Sequence, residues 1–260
     1  MTTAITSLGR AVIEGLRWLG EAQLLLLAAL GNIARGRVRR AETTEQMAVL
    51  GFDSLPIVVI TMLAVGMVVS LNTARQMAGI GLSQFAGGAV AITVAREAGP
   101  VLAAVVVAAR VGSAIAAELG SMKVTEQVDA LRALAVSPVE YLVVPRLVAA
   151  VVMLPVLVVL ADASGGLGAY LVGMTQGITP EEFLYSVQRF LTASDLLGGL
   201  AKSAVFGCII GLVACHVGLR ARGGAEGVGR ATTSAVVISI VLIYVSDYPM
   251  TWIMLSLIGH

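Results

Sequence analysis

Charge is what this sequence has least of. Asp, Glu, Lys and Arg make up 13% of its 260 residues and hydrophobic residues 58%, where a soluble domain carries about 25% charged residues. That excludes an ordinary soluble globule and points to an integral membrane protein. Histidine occurs twice, at His216 and His260, and cysteine twice, at Cys208 and Cys215 within one apolar stretch. A zinc site or a disulfide framework needs more ligands at closer spacing, so the cysteines read as small buried hydrophobes. Net charge is +1 and aromatics are 5%, with no basic tract interleaved with aromatics, so no nucleic-acid partner is expected. No Walker motif is present. "GGAEGVG" from Gly223 lacks the Gly-Lys-Ser/Thr ending and a preceding strand, and reads as a flexible turn. Nor do the first thirty residues read as a signal peptide: they carry Arg10, Glu14, Arg17 and Glu21 and no short apolar core before a small-residue cleavage site.

What is there is long apolar runs. A spanning helix needs about 20 apolar residues, and five stretches qualify: Leu50–Leu71, Ala86–Ala109, Leu147–Met174, Leu196–Leu219 and Thr232–Ile258. Ahead of them, Arg10, Glu14, Arg17 and Glu21 share one helical face and Leu8, Val12, Leu16 and Leu19 another. This predicts an amphipathic helix lying in the interface, with Trp18 in the headgroup layer. Its tail "LLLLAALG" is too short to span alone. Placing the N-terminus in the cytoplasm puts Arg10, Arg17, Arg35, Arg37, Arg39, Arg40, Arg110, Lys123, Arg132, Arg146, Arg220, Arg222 and Arg230 inside, thirteen of the seventeen basic residues. The positive-inside bias therefore predicts N-terminus in, five spans, C-terminus out. Small residues recur every fourth position along Ala104, Ala108, Gly112, Ala116, Gly120 and along Gly199, Ser203, Gly207, Gly211, the pattern of close helix packing.

Four ionisable groups fall deep inside the spans: Arg96, Glu97, Lys202 and Asp247. A charge at a span centre costs roughly 2.5–3.5 kcal/mol on insertion scales. Two cations and two anions at similar depth can offset that cost by pairing around a polar cavity. Pro100, preceded by Gly99, clashes with the carbonyl four residues back, which belongs to Arg96. A helix kink is expected where the charges are. Asp53 reads as an interfacial residue near the inner end of the first span. Asp162 falls within a long apolar stretch followed by "ASGGLGAY", where a broken helix is expected.

Between the second and third spans, "VTEQVDALRAL" from Val124 has helical period and ends at Ser137-Pro138. It reads equally as a docking helix for a soluble partner and as a surface helix on lipid.

The stretch "REAGPVLAAVVVAARVGSAIAAELGSMKVTEQVDALRALAVSPVEYLVVPR", with "AKSAVFG" from Ala201 and "GVGRATTSAVV" from Gly227, closely resembles the signature of the MlaE/YrbE permeases. The resemblance covers Leu50 to the C-terminus; the N-terminal helix matches the family's elbow helix in character only. It implies an all-α permease domain over 49–260 preceded by an elbow helix and basic linker over 1–48. It also implies a homodimer in the cytoplasmic (inner) membrane, an ABC ATPase partner of the MlaF kind, an Mce-domain partner of the MlaD kind, and phospholipid as cargo for outer-envelope lipid homeostasis. ATP and Mg would be used by the ATPase, with no cofactor on this chain. The family's cavity charges map onto Arg96, Glu97, Lys202 and Asp247. Its coupling helix maps onto about Glu118–Leu134, with Glu118, Met122, Lys123, Thr125, Glu126, Val128, Asp129 and Leu131 as ATPase-coupling positions. Tyr248-Pro249 departs from the family pattern and predicts a bend beside Asp247. Two other readings remain open: an ion-coupled secondary transporter with Glu97 or Asp247 as relay, and an intramembrane enzyme, against which stands the lack of a Ser-His pair within the spans.

Overall fold

The computed structural model describes residues 2–258, and the side chains of residue 9 and residues 13–256. The expected faces of Leu8, Arg10 and Val12 and the terminal His260 lie outside the described residues. The described residues form eight helices: α1 (Thr2–Ala34), α2 (Arg40–Gly79), α3 (Ser83–Val124), α4 (Gln127–Ala133), α5 (Val139–Thr175), α6 (Pro180–Phe190), α7 (Ala193–Gly218) and α8 (Gly224–Ile258). Five of them, α2, α3, α5, α7 and α8, are long and apolar enough to cross a membrane, as expected. All but α7 run past the apolar stretch that announced them, and α7 (Ala193–Gly218) nearly coincides with its own. Polar residues at a span's ends keep helical backbone, which satisfies their peptide groups whether or not they lie in lipid.

The bundle centres on α5, which packs along α2 and α7. Glycine makes the first contact possible. A Cβ on Gly66 would strike the Gly165 carbonyl, and Ser70 donates across the same seam to the Ala169 carbonyl at 2.8 Å. The two small-residue stripes do what their spacing predicts. Ala104, Ala108 and Ala116 are fully buried, and Gly207 abuts the Ala150 carbonyl.

One expectation needs correction and one element is new. α5 runs unbroken through Asp162, because glycines flanked by helix formers in a packed core keep helical geometry. The connection between α5 and α7 contains a helix, α6. Its start was legible in "TPEE": Thr179 accepts from the Glu182 N–H at 3.3 Å, Glu182 accepts from the Thr179 N–H at 3.0 Å, and Pro180 takes the first turn. Pro249 lies inside α8, the position at which a proline bends a helix.

Ion pairs gather at one end of the bundle. Glu21 of α1 meets Arg220 at 2.9 Å, Arg37 meets Glu140 at 3.9 Å, and Trp18 packs edge-on against His216 with ring centres 5.1 Å apart. Asp53 lies 3.8 Å from Arg110. Most of the arginines are at this end.

Candidate functional site

Pro100 organises the polar layer. Lacking an N–H, it cannot bond the Arg96 carbonyl. The helix answers with a π-helical turn over Val94–Ala98, in which the Gly99 N–H reaches back to the Val94 carbonyl. Such bulges collect at functional sites. The expected kink is thus one extra residue in a turn, and it directs Arg96 and Glu97 into the bundle. Gly99 is needed here, since a Cβ would strike Asp162 Oδ1. So is Gly199 on α7, where a Cβ would strike the Ala95 carbonyl. The close approach at Gly199 brings Lys202, one turn on, level with the bulge.

Lys202 is 1% exposed. Its Nζ lies 2.9 Å from both oxygens of Glu97, 2.9 Å from Asp247 Oδ1, 2.6 Å from Thr251 Oγ1 and 3.1 Å from the freed Arg96 carbonyl. Thr251 donates onward to Glu97 Oε1 at 3.0 Å. The ammonium's three protons are shared among these acceptors, so one cation ties α3, α7 and α8 together. A cavity of about 460 Å³ adjoins it, lined by Leu197, Ala201, Lys202, Met250, Ile253 and Met254 among others.

Arg96 takes a different partner. Its guanidinium binds Asp195 Oδ1 at 2.6 Å. Asp195 is fully buried, and its other oxygen accepts from the Thr192 N–H and hydroxyl, each at 2.9 Å. The sequence reasoning missed Asp195, though Thr192-x-x-Asp195 at the head of a span is a capping spacing. It also missed Thr251, four residues after Asp247 and therefore on the same face. The layer thus holds five charges, with anions exceeding cations by one.

A second cavity, of about 530 Å³, lies between α3, α5, α6 and α7 and is walled by apolar side chains such as Tyr170, Phe183, Leu184 and Leu196. Asp162 lines it, with Oδ1 buried and unpartnered.

At the arginine-rich end, the segment Glu118–Leu134 is not one helix. Glu118, Met122 and Lys123 end α3, Thr125 and Glu126 form a turn, and Val128, Asp129 and Leu131 belong to the short α4. Glu126 has φ 62° and Ala135 φ 58°, left-handed conformations that cost roughly 1–2 kcal/mol outside glycine. Val128 is 1% exposed and so anchors α4 from beneath. Lys123 meets Asp129 at 2.7 Å and Arg132 meets it at 2.9 Å. The hydrogen bond from Lys123 holds the Asp129 carboxyl below its ordinary range. Glu118 pairs at 2.6 Å with Arg146, whose guanidinium is buried and also donates to the Leu142 carbonyl at 2.8 Å. Leu134, 75% exposed, is the prominent apolar residue of the segment.

Five membrane-length helices, with a buried ion network tying three of them, define a multi-pass integral membrane protein with a polar layer inside its apolar bundle. The chain belongs to the MlaE permease family, whose model, described as Permease MlaE, matches residues 43–253. It is similar to a probable ABC transporter permease protein of Synechocystis, at 45% identity over 86% of this chain and 85% of that protein. It is also similar to one of Rickettsia felis, at 40% identity over 94% and 95%. A third relative, at 38% identity over 84% of this chain and 62% of its own length, is the chloroplastic protein trigalactosyldiacylglycerol 1 of Arabidopsis thaliana.

Proposed function

We propose that this chain is the membrane subunit of an ABC transporter that moves phospholipid or a related lipid. It would act as a homodimer in the cytoplasmic membrane, with its arginine-rich end and N-terminus inside and its C-terminus outside. ATP and Mg would be used by a separate ATPase, this chain holding no cofactor, and an Mce-domain protein would exchange the lipid on the far side. The observation that carries the reading is the Lys202 knot: a buried cation bridging α3, α7 and α8 beside a mostly apolar cavity. Apolar walls suit acyl chains, and a charged layer set against them suits a headgroup or holds one of two helix arrangements. The membership in the MlaE family and a relative named for a galactolipid support the lipid assignment.

In this reading the turn and short helix after α3 receive the ATPase. Motion there reaches the polar layer along α3, which carries both Glu118 and Glu97. The test is purification of the tagged chain in mild detergent, with mass spectrometry of bound proteins and lipids. An ATPase and an Mce-domain protein recovered with lipid, and ATP-dependent lipid movement after reconstitution, are the expected results. Transport driven by a proton gradient without any ATPase would overturn the reading in favour of a secondary transporter.

A further inference from the structure

The arginine-rich end holds a groove that the transport reading does not use. It measures about 380 Å³ and lies between Trp18 of α1, the end of α7 and the first turns of α8. Its lining is graded. Arg220, Arg222 and Arg230 stand toward the turn, while Val217, Ala231 and Ile238 continue the groove along the helices. Ser234 adds a hydroxyl between the two ends.

The charged end is built for an anion. Arg220 and Arg230 each keep a carboxylate, Glu21 at 2.9 Å and Glu226 at 2.8 Å. Arg222 is exposed and makes no ion pair among the described residues. Arg230 uses Nη1 for Glu226 and turns Nη2 toward Gly223. Gly223, just before the 35-residue α8, and Gly224, its first residue, both have positive φ, 90° and 66°. The first turn of a helix carries N–H groups without intrahelical partners, and here it follows the glycine turn next to the same arginines, an arrangement that favours an oxyanion.

We infer that this groove binds the phosphate of an anionic phospholipid from the adjoining leaflet, with an acyl chain along Val217 and Ile238. Three features favour a lipid over a free phosphate: the apolar continuation of the groove, the Trp18 ring at its edge, and its place at the end of two spans, where indole side chains and basic pockets meet headgroups. The inference rests on the chain spanning a membrane, not on its transporting anything.

The test uses the full-length protein in nanodiscs of equal parts phosphatidylglycerol and phosphatidylcholine, with retained lipid counted by native mass spectrometry. Wild type should retain phosphatidylglycerol about tenfold over phosphatidylcholine. Arg222→Gln with Arg230→Gln should bring the ratio near parity. Arg35→Gln with Arg40→Gln removes as much charge outside the groove and should leave the ratio unchanged. Ile238→Trp fills the apolar end, keeps every arginine, and should lower retention of both lipids. Equal loss in the Arg35/Arg40 control, or an unchanged ratio in the Arg222/Arg230 variant, would overturn the inference. So would full displacement of the lipid by millimolar inorganic phosphate, which would make this a free-anion site. Lipid transport is not read in this experiment, so failure of the groove and failure of the transport reading are separable.

Discussion

The ammonium of Lys202 lies 3.1 Å from the carbonyl oxygen of Arg96, the acceptor that Pro100 strips of its helical partner. One residue removes a hydrogen bond, and a second, on another helix, replaces it with a charge-assisted one. Lys202→Met should therefore be worse than a lost ion pair. It leaves Asp247 and a backbone carbonyl without the ammonium and Glu97 with only the Thr251 hydroxyl, an expected loss of about 3–5 kcal/mol. Thermal unfolding of the purified protein checks this. Adding Glu97→Gln and Asp247→Asn should recover most of the stability, because no uncompensated charge remains. In the proposed function, that triple variant folds but does not transport lipid.

Arg96 and Asp195 form the second half of the layer, and Asp195 also caps α7 through Thr192. The two roles separate by substitution. Arg96→Gln and Asp195→Asn should destabilise to a similar degree, with a coupling of about 0.5–3 kcal/mol in the double-mutant cycle. Asp195→Ala should cost about 1 kcal/mol more than Asp195→Asn, since only alanine loses the cap. Equal effects of the asparagine and alanine variants would mean that the cap contributes nothing.

The five spans were legible because hydropathy alone decides them, and the four central charges because each is anomalous in lipid. Their pairing was not legible. It depends on how deep α7 sits against α3, which Gly199 sets through a backbone contact that no charge pattern records. Asp195 escaped because a polar residue near a span's start looks interfacial, yet it is fully buried. Pro100 announced a disturbance at Arg96 but could not tell a kink from a π-turn. The choice rests on tertiary partners, Lys202 for the carbonyl and Asp162 against Gly99. Helix α6 was written in a capping box that a search for membrane spans passes over.

Gly99 and Asp162 should behave as a compensating pair. Gly99→Ala places a methyl group against Asp162 Oδ1, and overpacking of this kind costs about 1–3 kcal/mol. Asp162→Ala removes a buried oxygen that has no hydrogen-bond partner, so it should be neutral or stabilising. The double variant should return to near wild-type stability. Additive losses would show that Gly99 is required by the π-turn's backbone and not by the carboxyl beside it.

The short helix α4 offers the sharpest test of coupling, because two of its neighbourhood's apolar residues point to opposite fates. Val128 is 1% exposed and Leu134 75%. Val128→Asp buries a charge under the segment and should detach α4 from α3, lowering stability and ATPase association together. Leu134→Glu touches only the surface. It should leave the unfolding temperature unchanged while reducing recovery of the ATPase in pull-downs at least tenfold, the loss of roughly 1.4 kcal/mol or more expected for an apolar anchor at a contact. The surrounding ion pairs of Asp129 with Lys123 and Arg132 are exposed and screened by solvent, so Asp129→Asn should reduce association far less than Leu134→Glu. If Leu134→Glu left ATPase recovery intact in folded protein, the docking surface would have to lie elsewhere on the arginine-rich end, and the strained turn at Glu126 would lose its proposed role in transmission.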